Sequence, residues 1–192
     1  MDCMKMGALI RSLRKEKGMT QLELAQAIQV SDKAVSKWER GQGCPDVSLL
    51  TALSDILGVN LEQMLTGDLA PNPLDGGNMK RIQFYVCPNC GNVLTAAVDA
   101  DISCCGRKLT AFVGKNANDE HKLLLETVED ETYITFSHPM EKGHYIRFIA
   151  WVGYDRVMLV RLYPEQGGEL RIPQLRSGKL YACCSKHGLF VY

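Results

Sequence analysis

The sequence predicts a multidomain α + β chain: an all-α helix-turn-helix bundle, then a small four-cysteine metal module, then an antiparallel β-sandwich. Three observations carry this. Apolar residues recur at helical spacing, with caps and glycine stops, as far as residue 66. Cysteines then cluster as CxxC and CC between residues 87 and 105. From residue 114 onward, short strand-like runs alternate with turns rich in Gly, Pro and charge, and no helical period competes. The expected divisions are 1–66, a linker at 67–80, then 81–113 and 114–192.

At 192 residues the chain has room for two small domains, each with a modest core. Lys and Arg number 22, as do Asp and Glu, so no overall field recruits a nucleic acid or a membrane surface. The charge is uneven, however: residues 1–42 hold eight Lys or Arg against five Asp or Glu. No apolar run approaches the roughly twenty residues of a transmembrane helix. The N-terminus opens on a charged helical pattern rather than a signal-peptide core, so the expected location is cytoplasmic. There, eight cysteines favour metal or redox chemistry over structural disulfides.

In residues 6–17, Leu9, Ile10 and Leu13 share one helical face and Gly18 supplies the stop. Thr20 caps a second helix, Gln21 to Ala27, and Glu23 completes a capping box. Leu22, Ala25 and Ile28 are its expected inner face. Ser31 caps a third helix from Asp32 to about Arg40, with Ala34, Val35 and Trp38 inward and Gly41 ending it. Two short helices joined by a tight turn, the second with an exposed polar front, describe a helix-turn-helix. The segments T-Q-x-E-L-A and S-x-W-E-R-G, within residues 6–66, closely resemble the phage-repressor/Cro (XRE-like) family. That resemblance implies a homodimer on a double-stranded DNA operator. It places Gln21 at a phosphate or base edge, Asp32, Lys33 and Lys37 toward bases, and Ser31, Ser36, Arg40 and Gln42 toward phosphates. Lysines suit guanine acceptors, and Asp32 suits a cytosine amine. Cys3 and Cys44 are expected to be ordinary thiols.

GDLAPNPLDGGNMK, residues 67–80, reads as a flexible tether. Beyond it, Cys87-Pro88-Asn89-Cys90 is a metal knuckle, and Cys104-Cys105 supplies a second thiolate pair. Four thiolates in two close pairs wrap a tetrahedral ion, either zinc or a single iron. The adjacent cysteines of CPNCGNVLT…CCG resemble the desulforedoxin-like module of desulfoferrodoxin, which implies iron at this four-cysteine site.

Strands are expected at Leu123–Val128, Tyr133–Phe136, Tyr145–Val152, Arg156–Leu162, Leu180–Cys184 and Leu189–Tyr192. All four histidines of the chain fall in or beside this region, with Cys184 three residues before His187. Four imidazoles and one thiolate suit a borderline transition metal such as iron. Strand alternation points Cys183 to the face opposite Cys184.

H-P-M-E-x-x-H and C-x-x-H-G-x-F resemble the catalytic domain of desulfoferrodoxin and neelaredoxin, the superoxide reductases, over roughly residues 81–192. The resemblance implies an immunoglobulin-like β-sandwich holding iron through His121, His138, His144, His187 and Cys184. The implied reaction is one-electron reduction of superoxide to hydrogen peroxide, re-supplied by a rubredoxin-like electron donor. Two departures bear on turnover. Where the family reads Glu-Lys-His-x-Pro, this chain reads Asp119-Glu120-His121-Lys122-Leu123, so Glu120 replaces the lysine that draws in the anion. Asp119 stands for the family's glutamate, and Lys122 and Lys186 are candidates for the missing cation. The whole implies a DNA-binding regulator coupled to superoxide chemistry, or a superoxide reductase with an accessory DNA-binding head, or a repressor with structural metal sites.

Overall fold

The computed structural model describes residues 2–69, 71–72, 79–174 and 177–192. The expected tether at 67–80 therefore lies partly outside the described residues, at 70 and 73–78. The chain divides into two compact units, Met1–Pro71 and Asn72–Tyr192.

The first unit is a bundle of five helices: α1 (Cys3–Glu16), α2 (Gln21–Ala27), α3 (Asp32–Glu39), α4 (Val47–Leu57) and α5 (Leu61–Thr66). Each start has a side-chain cap. Asp2 accepts from the Met4 and Lys5 amides, so α1 begins three residues before the first expected helical position, Met6. Thr20 and Glu23 form the reciprocal capping box, and the Ser31 side chain accepts from Ala34 N–H. Met6, Ile10, Leu24, Val35, Leu53 and Met64 are completely buried and form the heart of the core. The inner face of α2 departs from expectation: Leu24 is buried with Ala25 and Ile28, whereas Leu22 is 55 % exposed. Two residues turn a helix by about 200°, so Leu22 and Leu24 cannot share a face.

The expected thiols of Cys3 and Cys44 are instead joined in a disulfide, with Cα atoms 5.0 Å apart. The early start of α1 explains this, because it puts Cys3 on the helix, beside the loop after α3.

The second unit opens with two hairpins: β1 (Gln83–Val86) with β2 (Val93–Ala96), and β3 (Ile102–Cys104) with β4 (Arg107–Leu109). The remaining strands are β5 (Lys115–Asn116), β6 (Leu123–Val128), β7 (Glu131–Phe136), β8 (Ile146–Val152), β9 (Val157–Arg161), β10 (Glu169–Pro173), β11 (Lys179–Cys184) and β12 (Gly188–Val191). They form a three-stranded sheet ordered β10-β7-β6 and a five-stranded sheet ordered β5-β12-β11-β8-β9. All pairings are antiparallel except the short β12–β5 contact.

Leu123, Ile134, Phe136, Ile146, Ile149, Ile172 and Phe190 fill the space between the sheets. Strand β8, between β11 and β9, is buried on both faces, since Phe148, Ala150 and Val152 pack with Phe84 of β1. The Phe84 and Phe148 rings stack at 5.4 Å. Residues 81–113 therefore lean on the five-stranded sheet and lie in the same compact unit as 114–192. Cys183 points into that shared layer and Cys184 into the sandwich interior, on opposite faces of β11.

Candidate metal centres and nucleic-acid interface

The loop from His138 to His144 is closed on itself by paired amide–carbonyl hydrogen bonds between Glu141 and His144, each 3.0 Å. This brings the two imidazoles side by side, with ring centroids 4.5 Å apart. His121 ends a short 3₁₀ turn, Asp119–His121, whose last carbonyl accepts from the Tyr192 hydroxyl. Its ring stacks on Phe190 at 3.9 Å. Cys184 and His187 flank the turn from β11 to β12, where Cys184 pairs with Gly188. The Lys186 amide donates to Cys184 Sγ at 3.4 Å.

The four rings follow one another round a square. Neighbouring centroids lie 4.9 Å (His121–His138), 4.5 Å (His138–His144), 4.8 Å (His144–His187) and 5.0 Å (His187–His121) apart. With Cys184 Sγ, each residue contributes one donor atom within 4.8 Å of all the others.

Hydrogen bonds around the square decide which nitrogens face inward. His121 Nδ1 meets Asn118 Oδ1 at 2.5 Å, and His138 Nδ1 meets the Pro139 carbonyl at 2.6 Å. Both partners are acceptors, so each Nδ1 carries the proton and each Nε2 presents a lone pair. His138 Nε2 and His144 Nε2 are buried with no hydrogen-bond partner among the described residues. Buried polar atoms are almost always satisfied, so two orphans converging on one point mark a place for an electrophile.

The electrostatics agree. Burial first, then the neighbouring His138 and His187, push the His121 imidazole down to about 4. Burial likewise lowers His138 and His144, the latter helped by the Lys186 ammonium. These three imidazoles therefore favour the neutral form that a ligand needs. The donor set, neutral nitrogens plus one sulfur, fits iron.

Residues 119, 120 and 122 are split by the 3₁₀ turn. Glu120 and His121 line an open cavity of about 470 Å³ together with Lys115, Asn116, Asn118, Lys186, His187 and Phe190. Asp119 and Lys122 line a separate recess with Leu124, Thr135, Phe136 and Ser137. Of the two candidate cations, Lys186 thus accompanies the imidazoles and Lys122 does not. Lys115, whose ammonium lies 3.5 Å from the His187 carbonyl, was not singled out by sequence reasoning. Asn118 was also missed, although an amide three residues before a ligand histidine is a readable signal.

Cys87, Cys90, Cys104 and Cys105 form the second cluster, their sulfurs within 4.8 Å of one another. The knuckle closes through Gly91 N–H to the Cys87 carbonyl at 2.9 Å. Cys105 and Gly106 are the two central residues of the β3–β4 turn, with φ of 50° and 72°. That primed hairpin turn is what lets adjacent cysteines both reach one ion. Backbone N–H groups of Cys90 and Asn89 hold the Cys87 thiol down at about 6, in spite of its burial. A thiolate-rich set of this kind accepts either iron or zinc.

In the helical unit, Gln21, Asp32, Lys33, Ser36, Lys37 and Arg40 line one shallow recess of about 330 Å³. Ser31 lies at the start of the same helix as its cap, and Gln42 is exposed just past its end. Behind this surface lies a buried pair. Arg14 donates to both Glu39 oxygens, at 2.5 and 2.9 Å, and to the Met19 carbonyl. The Gln21 amide also donates to Glu39, at 2.7 Å, so part of its hydrogen-bonding capacity points inward.

Fold and clusters together define a two-part protein: a helix-turn-helix unit followed by a β unit with two sets of metal-ligating side chains. A helix-turn-helix family model matches residues 10–64. The HTH-type transcriptional activator BcrR of Enterococcus faecalis is 33% identical over 87 residues, 43% of this chain and 42% of its own length. This chain thus spans well under half of that relative. A desulfoferrodoxin of Syntrophotalea carbinolica is 24% identical over 121 residues, 58% of this chain and 95% of its own length. In fold, the superoxide reductase from Treponema pallidum superposes with a TM-score of 0.50 at 17% identity, covering 58% of this chain and 97% of that one. The N-terminal part is thus a helix-turn-helix domain, and the remainder is similar to desulfoferrodoxin in sequence and shares the fold of that superoxide reductase; the chain fuses the two.

Proposed function

We propose that the chain is a DNA-binding transcriptional regulator whose β unit carries iron at both clusters, the four cysteines and the four histidines with Cys184, and senses or reduces superoxide. The observation that carries this reading is the square of imidazoles with two buried, unpartnered Nε2 atoms. His121, His138, His144, His187 and Cys184 would hold the iron, which when bound would supply a single electron to superoxide; with two protons from solvent this would yield hydrogen peroxide. The chain's own residues do the rest. Asn118 and the Pro139 carbonyl hold the His121 and His138 rings in the tautomer that aims Nε2 inward. The Lys186 amide steadies the Cys184 sulfur.

Glu120 opposes entry of an anion, but Lys115 and Lys186 line the same cavity, which leaves the approach electropositive. Lys122 and Asp119 keep a supporting place outside it. Electron re-supply from a rubredoxin-like donor would make the site catalytic; without one, a single oxidation makes it a sensor.

In the head, Asp32, Lys33 and Lys37 are proposed to read bases, Gln21 to touch a phosphate or base edge, and Ser31, Ser36, Arg40 and Gln42 to hold phosphates. A homodimer would engage paired half-sites of an operator. No helix among the described residues is long and apolar enough to cross a membrane.

The test is the visible spectrum of anaerobically purified protein, with iron and zinc quantified, before and after mild oxidation. A tetrathiolate iron spectrum is expected, plus a low-energy thiolate-to-ferric band that Cys184→Ser abolishes. Zinc alone, with no such band, overturns the iron reading and leaves a metal-stapled regulator.

A further inference from the structure

Outside the two clusters the cysteines are Cys3, Cys44 and Cys183. Cys183 is fully buried and its thiol is pushed up to about 12 by burial, so it is inert. The other two form the only disulfide among the described residues, and both are half-buried, within reach of small oxidants and thiol reductants.

Their place in the fold is specific. Cys3 is the first residue of α1, and Cys44 lies in the loop that starts with Arg40, Gly41 and Gln42 at the end of the recognition helix α3. Here α1 lies directly on the end of α3. A Cβ on Gly7 would come within 1.9 Å of the Trp38 carbonyl oxygen. One on Gly41, at φ +70°, would come within 2.0 Å of Met4 Sδ. The disulfide is the covalent third of these close approaches. It spans 41 residues and clamps the loop bearing Arg40 and Gln42 onto α1.

A structural staple does not account for it. The helical unit has its own fully buried core, and proteins that act on chromosomal DNA work where thiols are kept reduced. In such surroundings a disulfide is characteristically transient and redox-sensing.

We propose that Cys3 and Cys44 are a peroxide-responsive dithiol–disulfide pair that sets the DNA affinity of the helical unit. The proposal rests on the DNA-binding reading above. One thiolate attacks an oxygen of hydrogen peroxide; the O–O bond breaks, a sulfenic acid forms, and hydroxide leaves with a proton as water. The second thiol attacks that sulfur, the S–S bond forms, the S–O bond breaks, and a second water leaves. Two electrons have passed from the two sulfurs to peroxide. A cellular dithiol reductant returns them by thiol–disulfide exchange. Hydrogen peroxide is also the product proposed for the β unit, and as a small neutral molecule it diffuses between the units without their touching. The disulfide form holds the Arg40–Gln42 loop in place before DNA arrives, so it is the tighter binder.

The experiment uses the full chain, reduced with dithiothreitol or oxidised with hydrogen peroxide. Differential alkylation and peptide mass mapping locate the bond. Duplexes are selected from a random pool with each form, and Kd is read by fluorescence anisotropy. Oxidised protein is expected to carry the Cys3–Cys44 bond and to bind about tenfold more tightly than reduced protein. Cys3→Ser and Cys44→Ser should each bind like reduced protein under both conditions, with circular dichroism confirming their fold. Equal affinity of the two wild-type forms, or no bond formed by peroxide, overturns the proposal. So does a peroxide response that survives in both serine variants, which assigns it to the metal sites. Selection of no duplex by either form overturns the DNA-binding reading itself, an outcome distinct from equal binding by both.

Discussion

The two units both bury polar side chains and treat them in opposite ways. In the helical unit, Arg14 and Glu39 are nearly inaccessible, with side chains 9% and 2% exposed, and their charges are paired through two hydrogen bonds. Met19 and Gln21 take up further capacity. In the β unit, His138 and His144 converge on His121, His187 and Cys184 and keep a bare Nε2 each. A saturated buried network holds a structure together; an unsaturated one is an invitation to a ligand. The difference separates polar residues that serve the fold from those that serve chemistry, within one chain and without reference to any relative.

The largest effect should come from breaking the saturated network. Glu39→Ala leaves the Arg14 guanidinium buried without its counter-charge and should cost the helical unit about 3–5 kcal/mol in denaturant unfolding. A loss under about 1 kcal/mol would mean that the pair is solvated and the contrast unsound.

Acid should separate the units next. Burial alone would raise the Glu39 carboxyl, but hydrogen bonds from Arg14 and Gln21 and the charges of Arg14 and Arg11 hold it below its usual range. Its contribution is present above about pH 4.3 and disappears only as the pH falls through the lower folded value. Burial instead shifts the imidazoles of His121, His138 and His144 toward their neutral form. An unfolded histidine takes up a proton near pH 6.5, whereas His121 in the folded, metal-free unit does so at about 4. The metal-free β unit should therefore lose stability as the pH falls from about 6.5 toward 4, where the loss levels off. The helical unit, which contains no histidine, should hold through that window. The chain's two tryptophans report separately, Trp38 from the helical unit and Trp151 from β8, so Trp→Phe variants resolve the two curves. Coincident curves would defeat the assignment.

The smallest effect should come from the unsaturated cluster. His144→Ala is expected to change the stability of metal-free protein by no more than roughly 1 kcal/mol, since it removes an atom with no partner. The same variant should lose iron from the histidine site while keeping the metal of the four-cysteine site, read as metal per chain.

How much of this was legible in the sequence follows from how local each feature is. The capping box of Thr20 and Glu23, the Ser31 cap and the glycine stops are signals within four residues, and they place α2 and α3 closely. Leu22 reads as inward from its apolarity, but its phase against Leu24 turns it outward. The Arg14–Glu39–Gln21 network joins residues 25 and 18 positions apart, and no local pattern announces it, so Gln21 reads as a DNA contact alone. Strand β10 escaped notice because its alternation rests on Leu170 and Ile172 only and ends in Pro173, as suits the edge of the three-stranded sheet. In the β unit, His138, His144 and Cys184 with His187 announce themselves by short spacing. His121 meets His187 across 66 residues, so no short spacing marks it; it enters the set as the remaining one of the chain's four histidines and through the resemblance to a known family. The Cys3–Cys44 pair, 41 residues apart, has no such help and reads as two ordinary thiols.

One strand of the β unit governs how that unit assembles. Strand β8 offers Ile146 and Ile149 to the sandwich interior and Phe148, Ala150 and Val152 to the layer beneath the cysteine-bearing hairpins. Neither layer can close before β8 is laid down between β9 and β11, and neither can open without wetting one of its faces. The strand that joins the two layers supplies no side chain to either cluster. In folding terms the two layers are a single cooperative element, while each cluster keeps its own set of donor atoms.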